Sequence, residues 1–248
     1  MAGAAERDGP AAPPASGLRT LTDRLVELAP PTLGIAVSGG SDSTALLLAA
    51  ARAPGLRVEA ATVDHRLRPE AAAEARAVAA LCARLDLPHE TLVWHDAPGR
   101  GNLAQAARDA RAALLADWAA RRGLGAVALG HTLDDQAETL LMRLARGSGL
   151  DGLSAMRPRS ERAGAVWLRP ALSLRREALR AALRAEGEGW IDDPSNDDRS
   201  RDRIRTRDAL KTLAALGIDA QGLGAAAERL AEDADLLAAQ AAALIREA

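Results

Sequence analysis

The chain has 248 residues, which is enough for one large domain or for one domain with a small appendage. Its 32 basic and 34 acidic residues give a formal net charge of −2, which excludes a globally basic nucleic-acid-binding protein, so any contact with RNA must be local. A single cysteine, Cys82, excludes disulfide frameworks and four-cysteine metal sites and favours a reducing cytoplasm, and no apolar run approaches the roughly 20 residues that span a membrane.

The first half of the chain alternates short apolar runs with segments rich in alanine and leucine. Residues 1–17 precede them and, being rich in alanine, proline and glycine, predict a disordered leader. The predicted strands cover residues 33–37, 58–64, 89–93, 126–129 and 165–169, and the predicted helices cover 44–52, 69–85, 102–121 and 134–145. Because strands alternate with helices, we predict an α/β fold in which a Rossmann-like parallel sheet carries helices on both faces.

The second half of the chain is less regular. Ser173 can cap a helix that runs to residue 185, and a polar stretch covers residues 192–203. From residue 204 onward the sequence predicts two helices that are broken at residues 217–224. Residues 208–248 are therefore expected to form a small helical segment that begins a second module.

The strongest motif stands where the first predicted strand turns into the first helix. It consists of Ser38, Gly39, Gly40, Ser41, Asp42 and Ser43. Open parallel sheets bind ligands at the carboxyl ends of their strands, and a helix N-terminus there offers free N–H groups to an anion. The glycines allow a close approach, the serine hydroxyls can donate to phosphate oxygens, and Asp42 can hold the Mg²⁺ that accompanies a nucleotide. Gly40 stands where a Walker motif needs lysine, which disfavours ordinary kinases and GTPases.

Two further polar motifs follow predicted strands at the same edge of the sheet. Asp64 and His65 end the second strand, where such residues more often anchor a loop than form a site. After the fourth strand come His131, Asp135 and Glu138, and the two carboxylates share one face of a helix because they are three residues apart. A carboxylate pair suits an ammonium group, and His131 could contact a phosphate. Stabilisation of the helix dipole is the structural alternative for these acids.

The loop at residues 38–43 and its setting resemble the N-type ATP pyrophosphatase (PP-loop) superfamily, whose members cleave ATP between the α- and β-phosphates and transfer AMP to an acceptor. The resemblance implies an adenine nucleotide alpha hydrolase-like catalytic domain over residues 18–207, with ATP and Mg²⁺ as cofactors. It also implies that the loop holds pyrophosphate, that Asp42 binds the metal, and that the backbone at Asp64 and His65 meets the adenine.

Five other segments narrow the resemblance. They are His-x-x-Asp-Asp-Gln-Ala-Glu-Thr at 131–139, Leu-x-Arg-Gly-Ser-Gly at 144–149, and the segments 102–108, 190–196 and 201–205. These segments resemble the tRNA(Ile)-lysidine synthetases. The resemblance implies a cytoplasmic ligase that adenylates the C2 oxygen of the wobble cytidine in isoleucine tRNA with the anticodon CAU. The ε-amino group of free L-lysine then displaces AMP, which leaves lysidine in the tRNA.

The same resemblance gives roles to individual side chains and to the end of the chain. Asp135 and Glu138 would recognise the lysine ammonium, while Arg108 and Arg111 would contact the lysine carboxylate or the phosphates. Residues 208–248 would begin a C-terminal tRNA-binding domain. No membrane partner is expected, and assembly as a homodimer stays open.

The arginine motif at residues 201–205 would act on the phosphoryl group that is transferred. The sequence departs from the family pattern at two positions, one of them in this motif. Arg203 and Arg205 would stabilise the charge that develops during AMP transfer, a role that suits the fixed fork of arginine. Asp202 stands where asparagine is usual. Thr132, which can also pair with Asp135 as a helix cap, stands where the family often has a second histidine.

Two alternative functions stay open at this point. A tRNA 2-thiolation enzyme of the same superfamily would activate the base identically but deliver sulfur, generally through paired cysteines or an iron–sulfur cluster, whereas this chain has only Cys82. A non-catalytic nucleotide- or tRNA-binding module would keep the fold and lose the acids, whereas Asp42, Asp135 and Glu138 are all present.

Overall fold

The computed structural model describes residues 16–95, 101–192 and 202–247. Its strands are β1 (Thr32–Ala36), β2 (Arg57–Asp64), β3 (His89–Val93), β4 (Ala126–Leu129), β5 (Arg159–Arg162) and β6 (Ala165–Leu168). Its helices are α1 (Ser16–Leu28), α2 (Ser41–Ala51), α3 (Ala71–Arg84), α4 (Leu103–Arg122), α5 (Leu133–Ala145), α6 (Leu150–Leu153), α7 (Arg176–Ala185), α8 (Asp202–Ala214) and α9 (Ala220–Glu247).

The described strands form one sheet in the order β3-β2-β1-β4-β6-β5. All neighbouring pairs are parallel except β5 and β6, which are antiparallel at one edge. From β1 the chain builds outward to β3 on one side, and from β4 it builds outward on the other side, so the order reverses between β1 and β4. The predicted Rossmann-like sheet is confirmed, and its ligand site is expected where the carboxyl ends of β1 and β4 meet.

Helices cover both faces of the sheet, as the sequence predicts. On one face α1, α2, α3 and α7 form a core in which Leu46 and Leu47 of α2 are completely buried. Helix α2 is buried along most of its length because it contacts β1 on one side and α1 and α7 on the other. On the opposite face α4 packs Trp118 against the sheet beside Trp167. These tryptophans supply the large side chains of that face, since the sequence contains no phenylalanine or tyrosine.

Three local features differ from the sequence prediction. Helix α1 begins at Ser16 and so includes the last two residues of the predicted leader, whose residues 1–15 lie outside the described part. The short edge strand β5 is polar and mostly exposed, so it lacks the alternating apolar residues from which a strand is predicted. Ser173 does not cap α7, because that helix begins at Arg176 and its first N–H donates to the Asp134 carboxylate at 2.7 Å.

The last two helices pack against the rest of the described chain. Helix α8 contacts α5, while α9 contacts both α5 and α6. The centre of this packing is an apolar cluster of Leu140, Ala155 and Ala227. The predicted boundary between residues 207 and 208 falls inside α8, and α9 begins at Ala220, within the break predicted at residues 217–224. Among the described helices, none is long and apolar enough to span a membrane.

Candidate nucleotide and amine site

The loops that follow β1 and β4 touch at the carboxyl edge of the sheet. Gly130 follows β4 and lies directly against the backbone at the start of α2. A Cβ atom at Gly130 would lie 2.9 Å from the carbonyl carbon of Asp42 and 2.9 Å from the backbone nitrogen of Ser43. Only glycine fits this approach, which places the start of α5 beside the start of α2.

The loop from Ser38 to Ser43 is held by its own hydroxyl and backbone groups. Ser43 Oγ donates to the Gly40 carbonyl oxygen at 3.1 Å and accepts from the Ser38 N–H at 3.2 Å. Gly39 has a φ of 85°, a left-handed conformation that glycine adopts without strain. Gly40 is the N-cap of α2 and has no side chain, so the cap residue supplies no side-chain acceptor to the first N–H groups of this helix. This is the arrangement that binds an anion at a helix N-terminus.

Three carboxylates converge on the guanidinium group of Arg176. Arg176 Nε donates to Asp42 Oδ2 at 2.8 Å, and Arg176 Nη2 donates to Asp135 Oδ1 at 2.9 Å. Arg176 Nη1 lies 3.7 Å from Glu138 Oε1. We call Asp42, Asp135, Glu138 and Arg176 the acidic cluster. It joins the loop at residues 38–43, which we call the phosphate loop after its predicted ligand, to the face of α5 that carries the predicted amine-binding acids.

Burial and pairing give the three carboxyl groups different proton affinities. Burial raises the pKa of Asp42, although the charge of Arg176 opposes this shift. Burial also raises the pKa of Glu138, against an opposing hydrogen bond from Arg207. For Asp135 burial acts in the same direction, but the Arg176 charge and the bonds from Thr132 hold its pKa below the ordinary value. Asp135 is therefore the carboxylate that stays firmly ionised.

A capping box fixes Asp135 at the start of α5. The Thr132 N–H donates to Asp135 Oδ2 at 2.9 Å, and the Asp135 N–H donates to Thr132 Oγ1 at 3.4 Å. The pairing predicted from the sequence is confirmed, and threonine at position 132 serves as the N-cap. His131 precedes the cap, is half-buried, and contributes to the low pKa of Asp135.

Glu138 is the most deeply buried acid of the site, with 1% of the residue exposed. Its Oε1 accepts a hydrogen bond from Arg207 Nε of α8 at 2.5 Å. Its Oε2 is buried and has no hydrogen-bond partner within the described residues. One oxygen of this carboxylate is therefore still available to a donor.

A cavity of about 600 Å³ opens beside the phosphate loop. Ser38, Gly40, His65 and Arg111 line it together with apolar residues of β1, β2 and α4. Arg111 forms no ion pair or hydrogen bond within the part of the chain that the structure describes, and burial lowers the pKa of its guanidinium group. Arg108 instead lies on the exposed face of α4 and donates to the Gln105 side chain at 3.0 Å. Of the two predicted arginines, only Arg111 faces the cavity.

Asp64 and His65 are brought to the same edge but differ in role. The Asp64 carboxylate accepts the backbone N–H of Arg66 at 2.8 Å and so anchors a turn. His65 lines the cavity, packs edge-to-face against Trp94 at 5.7 Å between ring centroids, and has a buried Nδ1 without a partner in the described residues. Burial, with a contribution from the positive charge of Arg111, lowers the pKa of His65. The loop-anchor interpretation therefore suits Asp64, and a ligand-facing position suits His65.

The segment from Trp190 to Asp192 lies across the phosphate loop. The Ile191 N–H donates to the Gly39 carbonyl oxygen at 2.9 Å, and a Cβ atom at Gly39 would lie 2.5 Å from Ile191 Cδ1. Trp190 packs under the guanidinium groups of Arg180 and Arg184, which lie 5.8 Å and 5.6 Å from its ring centroid. The predicted motif at 190–196 thus begins at the loop, while its residues 193–196 lie outside the described residues.

The arginine motif of α8 is only partly described. The side chain of Arg203 lies outside the described residues. Arg205 is exposed and lines a groove between α5 and α8 rather than the cavity at the phosphate loop. Arg176 and Arg207, which contact the acids directly, are not predicted from the sequence. Their neighbours are also arginine-rich, so composition gives no signal that would single them out.

Asp42 is the residue that the sequence predicts as the metal ligand. Within the described residues, no group of three or more histidine, cysteine or acidic side chains has the geometry of a metal site. Asp42 Oδ1 accepts from Ser41 Oγ at 3.1 Å, and Oδ2 accepts from Arg176. Mg²⁺ is usually held by one or two carboxylates together with substrate phosphates, so a single carboxylate beside a phosphate loop fits this ion.

Comparison with known proteins agrees with the fold and with the loop after β1 described above. The family model of the PP-loop domain matches residues 17–213. The chain is 53% identical over 211 residues to tRNA(Ile)-lysidine synthase of Ruegeria pomeroyi and 50% identical over 212 residues to tRNA(Ile)-lysidine synthase of Methylobacterium nodulans. These alignments cover 84% and 85% of this chain, and 50% and 62% of the relatives. The chain thus spans between half and two thirds of their length.

A solved structure has a similar fold at low sequence identity. The U34-tRNA thiolase NcsA of Methanococcus maripaludis superposes with a TM-score of 0.73 at 17% identity, over 88% of this chain and 78% of that one. This likeness extends to the fold alone. The match to the family model covers most of the chain, including the phosphate loop, both motifs at the sheet edge and α7. The chain belongs to the PP-loop family.

Proposed function

We propose that the chain carries the catalytic centre of a tRNA(Ile)-lysidine synthase. It would use ATP to adenylate the C2 oxygen of the wobble cytidine in isoleucine tRNA with the anticodon CAU, and L-lysine would then displace AMP. The observation that carries the proposal is the acidic cluster, in which Arg176 holds Asp42 of the phosphate loop beside the amine-binding acids of α5. Relatives of that name that are about half identical in sequence support it.

The nucleotide would bind across the phosphate loop and the adjoining cavity. The uncapped N-terminus of α2 and the exposed Ser38 offer donors to the pyrophosphate. A volume of about 600 Å³ is within the usual range for a small-molecule site. Arg111, whose charge has no partner in the described residues, would face either a phosphate or the lysine carboxylate. Asp42 would hold the Mg²⁺ that neutralises the phosphates when it is bound.

The amine would bind at the face of α5. Asp135 is kept ionised by Arg176 and Thr132, so it can hold an ammonium group by charge. The lysine ammonium must lose a proton before its nitrogen can attack C2. Glu138 is suited to accept that proton, because burial raises its pKa above that of an ordinary glutamate. Both acids would then bind the ammonium group, and Glu138 would also accept its proton.

Sulfur transfer is not supported by the described chemistry of this chain. Cys82 is completely buried in α3, on the core side of the helix. Burial raises the pKa of its thiol to about 11, so it carries almost no thiolate at neutral pH. A thiolase activity would need a different sulfur carrier.

The proposal is tested by supplying the chain with labelled L-lysine, ATP, Mg²⁺ and either of two tRNAs, the isoleucine tRNA with the anticodon CAU or its methionine counterpart. Label in the isoleucine tRNA alone is the expected result, and label in neither tRNA contradicts the proposal. The roles of the acids are separated by substitution. Asp42→Ala should abolish ATP consumption, whereas Asp135→Ala should retain part of the adenylation step, followed as pyrophosphate release, and lose lysine incorporation. Equal loss of both steps in the two variants would refute that division.

A further inference from the structure

The carboxylate of Glu138 already has a cationic partner from the protein itself. Arg207 Nε lies 2.5 Å from Glu138 Oε1, the shortest distance in the site, and Arg176 Nη1 lies 3.7 Å from the same oxygen. Oε2 of the same carboxylate is buried and unpartnered within the described residues. A ligand ammonium that reaches Glu138 must therefore share this carboxylate with Arg207.

Arg207 is the exchangeable member of this pair. The side chain of Glu138 is 1% exposed and is held in α5, so it cannot turn toward solvent. The side chain of Arg207 is 33% exposed and lies on α8, which packs against the rest of the protein chiefly through α5. A partly exposed guanidinium group that leaves its partner regains hydration, so its release costs less than the release of a buried one.

Arg176 cannot take the place of Arg207 in this exchange. It bonds Asp42 and Asp135 as well as lying near Glu138, so its displacement would leave three carboxylates without their common partner. Arg207, in contrast, contacts no other acidic group of the cluster. Displacement of Arg207 would leave only the Glu138 carboxylate without its partner, and a new cation could then pair with it.

We infer that Arg207 is an internal competitor for the amine site, a specificity-determining residue that occupies Glu138 when no amine is bound and weakens amine binding by its positive charge. The inference rests on the proposed function, since it takes Glu138 as the amine-binding acid. An ammonium beside Glu138 would lie within a few ångströms of the Arg207 guanidinium, where like charges repel strongly at a half-buried site. Only an amine with additional contacts, such as those of the lysine carboxylate, would bind well against this competition.

The test measures binding of L-lysine to the full chain by calorimetry at pH 8, with Mg²⁺ and an ATP analogue whose α,β-bridge is methylene so that no AMP forms. Arg207→Gln removes the charge, Arg207→Lys keeps it, and Lys211→Gln removes a charge from the same helix at an exposed pair with Asp208. We expect Arg207→Gln to lower the Kd for lysine about three- to fivefold, the size of one partly exposed ion pair. The two control variants should stay within about twofold of the wild-type Kd.

A purely structural role of Arg207 predicts the opposite result. If Arg207 only anchors α8, Arg207→Gln should lower the thermal midpoint without lowering the Kd for lysine. A Kd that is unchanged or raised in Arg207→Gln overturns the inference. Glu138→Gln distinguishes this failure from failure of the proposed function. Lysine binding that is lost in Glu138→Gln but unaltered in Arg207→Gln overturns the inference alone. Lysine binding that is unaltered in Glu138→Gln, or absent from every protein, overturns both.

Discussion

Arg176 should be essential to the stability of the site at neutral pH and much less so in acid. The substitution Arg176→Met keeps the apolar stem of the side chain and removes its charge. Because Asp42 and Asp135 lose direct bonds of 2.8 Å and 2.9 Å, buried carboxylates are left without a counter-ion. Removing one partner of a buried ion pair costs about 3–5 kcal/mol. The Arg176 side chain is 20% exposed, so we expect about 2–4 kcal/mol after allowing for solvent.

The sign of the pH dependence follows from the proton affinities. In the wild-type protein, Arg176 offsets the effect of burial and keeps the pKa of Asp135 below its ordinary value, so Asp135 contributes stability above about pH 4 that is lost in acid. Without Arg176, the pKa of Asp42, which burial already raises above its unfolded value, would rise further, and Asp135 would lose the strongest influence that lowers its pKa. The variant should then lose stability as pH rises from about 4 toward 8, and its deficit should be smaller at pH 5 than at pH 8.

Urea unfolding followed by circular dichroism at pH 5 and pH 8 measures this difference. The matched control is Arg175→Met, because Arg175 is the preceding residue, its side chain is 52% exposed, and it pairs with Asp134. We expect a loss of at most about 1 kcal/mol for the control, with little dependence on pH. An equal loss for both variants at pH 8, or a loss for Arg176→Met that is the same at pH 5 and pH 8, would refute the reasoning.

Three further predictions concern the loop, the cavity and the core. Gly130→Ala should lower nucleotide affinity at least about tenfold, because the added Cβ atom pushes α2 away. In the control Gly189→Ala the added Cβ atom meets no atom within 4 Å, so nucleotide affinity should be unchanged. Equal effects of the two substitutions on nucleotide affinity would contradict this packing. Arg111→Met should weaken nucleotide binding about tenfold, while Arg108→Met should change it less than twofold. A larger effect of Arg108→Met would contradict the finding that Arg111 is the arginine facing the cavity. The Cys82 thiol, whose pKa is raised to about 11 by burial, should not react with a thiol reagent at pH 8 until the chain is unfolded in urea; rapid reaction of the native protein would contradict its burial.

The parts of the site that follow from local sequence are the ones that could be predicted. A strand, a loop with two glycines and a helix predict a phosphate loop, because the carboxyl end of a parallel strand and a helix N-terminus must meet there. Thr132 and Asp135 are three residues apart, so their capping role can also be predicted from the sequence. In both cases the physical cause lies within a few residues of the motif.

The remainder depends on contacts between distant segments. Arg176 lies 134 residues from Asp42 and 41 residues from Asp135, and nothing in the local sequence separates it from Arg175. Arg108 and Arg111 are three residues apart on α4, which turns the second about 300° from the first, and packing against the sheet alone decides which one faces the cavity. Tertiary structure was needed to choose among arginines of similar sequence context.

The central claim is that the phosphate loop and the acids of α5 form one site that takes a nucleotide and an amine side by side. The most direct measurement is a paired calorimetric titration of the wild-type chain and Glu138→Gln, first with magnesium–ATP and then with L-lysine. We predict heat from ATP in both proteins and heat from lysine in the wild type alone. Lysine heat of equal size in both proteins, or the absence of any heat from ATP in the wild type, would contradict the claim.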